Sequence, residues 1–456
     1  MSFKTTGILA LLLAILGGYI YLFEIRGWEE KERAEEAAKK ITQVTKETVS
    51  QLRLDAFGES VFAVKDGFNW KIVSPVETEG DYEALEGLIE AAGSLEKVGV
   101  AADSSQTSLP DFSLADFGLA SPAIRLSFTV DDRQRQEVAF GDRSPTGIYF
   151  YVKTDGDDRI YLAESRFYFR FELSLLDLRD KRYVRVDLDR LRGIELAYGS
   201  SKVAVERDGI HWRMTAPVVD AGDDVGIGRF LTALRNARIE TFSALTNDAE
   251  TGLNEPWFSI RLDEGGDRGL RGIAFGRKAG SRAYRTYLAR SFGTPHVFEA
   301  DSAFVHQLIG AGDSFRTRDV FTFNRHEVDR VEMAFPDSSM IFDKHGPEQW
   351  DVTSHPNHQV VGSKIEDFID EVVALRATSY VAEAMEDDRR AVFETNGIRI
   401  RLLGHGKLLR EVVVGVLGNL LFATTNDRQQ ILEIENYFMG KIRDVRIYPK
   451  PSVTQG

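Results

Sequence analysis

Cysteine is absent from the 456 residues, which excludes disulfide frameworks, Cys-ligated zinc, thiol catalysis and a lipidated N-terminal Cys. A sustained basic block is missing too, and the formal net charge is -14, so no face is expected to track nucleic-acid phosphates. The chain contains no His-Glu-x-x-His, no Gly-x-Ser-x-Gly and no phosphate loop ending in Gly-Lys-Ser/Thr. Residues 141–147 are loop-like, but they lack the Lys and the following helix that phosphate binding needs, and read as a hairpin loop. No long stretch is depleted of apolar residues, so the chain reads as folded throughout.

What is present begins with an uncharged run over residues 7–23, at the short end of what spans a bilayer. Tyr19, Tyr21 and Phe23 close it and Trp28 follows, where amphipathic rings favour a membrane interface. Residues 1–28 therefore read as an uncleaved signal anchor with the N-terminus inside, although Arg26, Lys31 and Arg33 beyond the run outnumber Lys4 before it. A small-x-small cleavage site is lacking, because residues 19–26 are bulky. Residues 29–50 follow as a helical stalk rich in Ala, Glu and Lys, the periodicity predicting one helix from 29 to about 51.

The remainder is a tandem array. Trp70, Trp212 and Trp350 each open a short alternating strand that leads to a Pro, at Pro75, Pro217 and Pro356. Ahead of each Trp lie two further alternating strands and a turn, Asp66-Gly67, Asp208-Gly209 or His345-Gly346, the pattern of a three-stranded antiparallel meander. A helix follows each Trp strand, over 82–95, 225–237 and 365–375, with apolar residues at core-facing spacing such as Leu85, Leu88, Ile89 and Ala92. The second half of a copy opens with a Gly-Leu-x-x-Pro phrase, Gly118 to Pro122 and Gly252 to Pro256, and a four-stranded meander is expected after it. Phe140-Gly141 and Phe275-Gly276 read as matching turns in that half; the third copy keeps its strands and has lost the Gly-Leu and the Pro.

Each copy ends in an Arg-Asp pair, Arg179-Asp180, Arg318-Asp319 and Arg443-Asp444, whose recurrence suggests a clamp between units. The fold class is α+β: an N-terminal transmembrane helix and stalk, then three repeats of antiparallel meanders covered by helices, at 51–184, 185–320 and 321–449, with a tail at 450–456. Units of about 135 residues are too long for solenoid repeats and are domain-sized.

Candidate chemistry is sparse. His345, His355 and His358 are the candidate metal ligands, with scattered surface histidines as the other reading. Two Asp clusters, 220/223/224 and 155/157/158, lack the full spacing of a calcium loop and fit turns or helix caps. The Trp residues read as core markers, and neither a catalytic residue nor a cofactor is expected.

The aromatic-ended anchor with Glu24, the phrase Phe117-Gly-Leu-Ala-Ser-Pro122, the Phe140-Gly141-Asp142 segment with Tyr149 and Tyr151 behind it, Leu178-Arg-Asp-Lys181, and Trp70 and Trp212 with their downstream Pro resemble the bacterial domain-of-unknown-function family 4340 (DUF4340). The resemblance covers most of the chain after the anchor and is clearest over residues 50–320. It implies no activity; it implies companionship with ABC-type export systems. The expected function is a non-enzymatic scaffold or accessory subunit, single-pass in the inner membrane with its bulk in the periplasm and protein partners in the envelope. The alternative is an extracytoplasmic enzyme or receptor acting on envelope polymers.

Overall fold

A computed structural model describes residues 7, 13 and 26–451, apart from 132, 267–269, 280–285, 322, 384–386 and 427. All of the expected membrane span but residues 7 and 13 therefore lies outside the described residues; among those described, no helix is long and apolar enough to cross a membrane. The first helix, α1 (Arg26–Lys39), is shorter than the stalk helix predicted from sequence. It stops because the β-branched residues Ile41, Thr42, Val44 and Val49 have better uses than helix. Ile41 and Val44 are buried against the first repeat, Thr42 Oγ1 donates to the Ala92 carbonyl at 2.8 Å, and Val49 already begins a strand.

The first repeat is built on nine strands: β1 (Val49–Ala56), β2 (Glu59–Asp66), β3 (Asn69–Ser74), β4 (Thr78–Glu79), β5 (Gly99–Ala102), β6 (Ile124–Val130), β7 (Gln134–Arg143), β8 (Tyr149–Thr154) and β9 (Ile160–Glu164). They form one sheet in the order β4-β3-β2-β1-β6-β7-β8-β9-β5. The two meanders expected from sequence are thus halves of a single sheet, joined where β1 pairs antiparallel with β6 and sets Leu52 opposite Phe128 and Leu54 opposite Leu126. Alternation explains the join: Leu52, Leu54, Leu126 and Phe128 are all buried, so pairing β1 with β6 makes one continuous apolar face. Helix α2 (Tyr82–Ser94) covers that face with Leu85, Leu88, Ile89 and Ala92, and Asp81 caps it by accepting from the Ala84 amide at 3.0 Å.

The second repeat repeats this order, with Gly193–Tyr198 in the place of β1 and Phe258–Asp263 in that of β6. In the third, Arg330–Ala334 and Ile398–Gly404 play those parts, and a tenth strand, Ile447–Pro449, is added beside His358–Val360 at the sheet's end. The chain is accordingly α+β, three large antiparallel sheets each with its own buried core. The Ser74–Pro75 and Ala216–Pro217 peptide bonds are cis.

Phe140-Gly141 and Phe275-Gly276 are not in turns. They sit within long strands, β7 and Leu270–Ala279, where the register shifts by a bulge. A Cβ on Gly141 would lie 2.1 Å from the Phe117 carbonyl oxygen, and one on Gly276 2.1 Å from that of Thr251, so each glycine lets the Gly-Leu-x-x-Pro loop lie flat on the sheet. Leu119 and Leu253 then anchor small apolar clusters on the sheet's outer face. In the third repeat the helix Asp387–Asn396 replaces the loop, and Phe393 supplies the anchor against Val413 and Ile431.

Candidate functional site

The tryptophans come first because they recur. Trp70 is fully buried, and its indole N–H donates to Glu86 Oε1 at 2.8 Å; Lys65 Nζ meets the same oxygen at 2.8 Å. The third repeat rebuilds the group: Trp350 Nε1 donates to Glu366 Oε1 at 3.0 Å and Lys344 Nζ lies 2.7 Å from it. Burial pushes the Glu366 carboxyl up, but the bonds from Lys344 and Trp350 outweigh it and hold it below the ordinary value. In the second repeat Gly228 stands sixteen residues after Trp212, where Glu86 and Glu366 stand after their tryptophans. Arg207 lies over the Trp212 ring instead, 4.3 Å from its centroid. The group is internal, a Lys-Glu-Trp pin fastening the hairpin to the covering helix. A Glu at Trp plus sixteen was the sequence signal for it.

The junctions between repeats are the second recurrent feature. Arg179 pairs in an isolated bridge with Gly80, and Arg316 with Gly222. Three residues on, Arg182 bridges Arg238 and Asp319 bridges Arg376, which carries the chain from one unit to the edge of the next. The structural counterpart of Arg179 is therefore Arg316 and not Arg318; the Arg-Asp pairs that recur in sequence are offset by two positions, because ladder register and not residue type aligns the units.

Arg179 is 7 % exposed, and its guanidinium carbon lies 3.2 Å from the centroid of Phe242 in the following repeat. Burial lowers its pKa to about 10, which leaves it cationic at neutral pH. Its Nε and Nη2 have no hydrogen-bond partner among the described residues, as expected for a guanidinium whose face is given to a ring. His296 of the second repeat reaches back to the Glu77 carbonyl at 2.8 Å, and Arg185 holds Glu79 at 2.9 Å and also Asp180. At the second junction Arg316 lies 3.3 Å from the Tyr380 centroid, pairs with Asp220 at 2.8 Å and with Glu383 at 2.7 Å, and Arg376 meets Asp319 at 3.0 Å and Asp223 at 3.2 Å. Each junction thus has a cation stacked on an aromatic ring from the next unit, buried at the first and largely covered at the second. Of the predicted pairs, Asp180 binds Arg182 and Arg185 rather than Arg179, Arg318 offers its carbonyl to the Ala377 amide at 2.7 Å, and Arg443 and Asp444 lie exposed at the end of the helix Tyr437–Asp444.

Gly118 and Gly252 both adopt left-handed backbone, φ 68° and 72°, ending the short turns before Pro122 and Pro256. The histidines do not converge as a trio. The rings of His355 and His358 are 5.7 Å apart and His355 Nδ1 is 2.9 Å from Ser354 Oγ, whereas His345 Nε2 faces Asp351 at 3.2 Å. Among the described residues no group of three or more His, Cys, Asp or Glu could hold a metal ion. Of the Asp clusters, Asp223 caps a helix through the Gly226 amide at 2.8 Å and, with Asp220, also belongs to the second junction, whereas Asp157 is held well below the usual carboxylate range by Arg159.

An open cleft of about 850 Å3 lies at one end of the second sheet, lined by Arg190, Arg192, Arg207, Ile210 and Glu264 among others. Ile210, 81 % exposed at a hairpin tip, matches Phe68, 93 % exposed, in the first repeat. The surroundings mix cations and carboxylates, so the cleft can hold a charged or amphipathic ligand; among the described lining residues there is no nucleophile with an adjacent base.

Fold and junctions together define a tandem array of α+β units joined by cation–aromatic clamps. Residues 70–256 and again 212–392 match the family described as Domain of unknown function (DUF4340), spanning well over half of the chain between them, and the chain belongs to that family. Comparison with curated proteins and with solved structures gives no match. Both family matches begin at the Trp of a repeat and run past the junction to the anchor segment of the next, so the family pattern contains the clamp within it.

Proposed function

We propose that the protein is a membrane-anchored extracytoplasmic scaffold, an accessory subunit of an ABC-type export or envelope-assembly system, and not an enzyme. Residues 7–23 are its single span, the N-terminus is inside, and the three repeats stand in the periplasm. The observation that supports this reading most is the pair of cation–aromatic clamps, Arg179 on Phe242 and Arg316 on Tyr380. Clamped units suit a spacer that presents fixed surfaces to partners, whereas hydrolytic or transfer chemistry gains nothing from them. The family resemblance supplies the export context.

The test is chemical crosslinking of the full chain in native membranes, followed by purification in mild detergent. Specific transporter or envelope subunits should co-purify, and deleting residues 1–28 should abolish both capture and cellular function. Recovery only as a free monomer, with function intact after that deletion, would refute the scaffold. The second reading, an envelope-polymer receptor, is favoured by the cleft around Arg192; saturable binding of anionic envelope oligosaccharides, lost in Arg192→Glu, would establish it.

A further inference from the structure

The same junction is made a third time, at the N-terminal end, by the stalk. The Lys97 amide donates to the Lys39 carbonyl at 2.7 Å, as Ile239 does to Lys181 at 2.6 Å and Ala377 to Arg318 at 2.7 Å. Lys40 bridges Glu96 as Arg182 bridges Arg238 and Asp319 bridges Arg376. The leading edge of the first repeat is therefore already closed by the chain's own stalk.

Among the described residues, nothing closes the trailing edge of the third repeat. Val360 pairs with Ile447 at the register position that Gly80–Arg179 and Gly222–Arg316 occupy, so Pro449 corresponds to Lys181 and Arg318, whose carbonyls accept from the next unit. The sheet ends at this strand. Proline removes only an N–H, and the internal junctions use this position solely as an acceptor, so Pro449 keeps what the junction needs. Tyr448 is 48 % exposed. Arg443, Arg446 and Lys450 surround the strand, exposed and without an ion pair among the described residues, in a chain whose net charge is -14.

We propose that the Ile447–Pro449 edge is a docking site for an extended, acidic strand of a partner protein, which adds to the third sheet as the next repeat adds to the first and second. Continuity with two internal copies of the interface sets the geometry, and the three unpaired cations set the charge of the occupant. Main-chain bonds at the edge give affinity, and a ring or branched apolar residue of the incoming strand packs beside Tyr448. This names the partner chemistry of the scaffold reading and rests on it only for the existence of a partner.

The experiment replaces Tyr448 in the full-length, membrane-inserted chain with p-benzoylphenylalanine, photo-crosslinks, and maps the attached peptide by mass spectrometry. A Phe68 replacement serves as the control. The expected adduct is an acid-rich segment of another protein, reduced at least fivefold by Arg446→Glu with Lys450→Glu, two exposed changes whose effect on folding is checked by circular dichroism. An adduct to a second copy of this chain or to lipid, an adduct indifferent to charge reversal, or none at all overturns the proposal. Co-purified partners crosslinked only elsewhere would overturn this edge while leaving the scaffold standing.

Discussion

Glu86 shows how one residue fixes the geometry of a repeat. Its side chain is 4 % exposed, and it joins Lys65 on the hairpin to Trp70 on β3 from a position on α2. Glu86→Ala leaves the partly buried Lys65 ammonium with only the Lys46 carbonyl and strands a buried indole N–H, a loss of about 3 kcal/mol. In the third repeat Glu366 is 16 % exposed, and water compensates its removal better, so Glu366→Ala is expected to cost about 1–2 kcal/mol. Urea denaturation of both variants should rank them in that order; equal losses would show that the buried pin does not govern either site. The clamp residues allow a sharper contrast. Arg179 has two guanidinium nitrogens without partners, so replacing it with an apolar chain of similar length, Arg179→Met, should be neutral or slightly stabilising. Phe242→Ala leaves the buried cation without its ring and should cost about 2–4 kcal/mol. If Arg179→Met loses as much stability as Phe242→Ala in thermal melts, the charge on the ring is itself what holds the junction.

At the scale of elements, local patterns were readable and long-range pairing was not. Asp66-Gly67 and Asp208-Gly209 announced their hairpins because a tight turn demands particular backbone. The covering helices were visible from the spacing of Leu85, Leu88, Ile89 and Ala92, all of them buried. The pairing of β1 with β6 had no local signal, since the partners are separated by some seventy residues and only shared burial selects the register. For the same reason Arg316 was missed as the clamp: it is recognised by its bridge to Gly222, which sequence does not display. Gly141 looked like a turn glycine and is a bulge glycine that admits the loop. Gly141→Ala and Gly276→Ala bring a methyl onto a backbone carbonyl and should each cost about 1–3 kcal/mol. Gly415→Ala meets only Val392 and Phe393 side chains, the nearest at 2.8 Å, and should cost less; equal losses in all three would contradict the bulge reading. The first junction also carries a pH signature. Burial lowers the His296 pKa, helped by nearby Arg179 and opposed by the bond to the Glu77 carbonyl. The unfolded chain then binds a proton more readily than the folded one, so stability from this site is present above about 6.5 and is lost as pH falls through the lower folded value. Melting temperatures at pH 7.5 and 5.5 should differ more for the native chain than for His296→Gln; an unchanged difference would rule the histidine out.

For the whole molecule, the question is whether three sheets behave as beads or as one body. Each has its own core, and isolated domains of this size unfold independently unless their interfaces are large or strongly coupled. Each family match runs from the Trp of one unit to the anchor segment of the next, so the matched stretch includes a junction. Arg316 is the residue on which that coupling converges at the second junction. It lies on the Tyr380 ring and pairs with both Asp220 on its own side and Glu383 on the far side, while the Tyr380 hydroxyl donates to the Thr317 carbonyl at 2.5 Å. Arg316→Ala removes the cation–aromatic stack and the ion pair across the junction together, a coupling worth about 2–3 kcal/mol at a partly desolvated site. Neither flanking core loses a side chain, so the cost falls on the interface. Calorimetry of the detergent-solubilised chain should then resolve the third repeat as a separate transition at lower temperature, with the first two still melting together. A single transition displaced as a whole would mean that the sheets are coupled through other contacts, and an unchanged profile would mean that they were never coupled through this one.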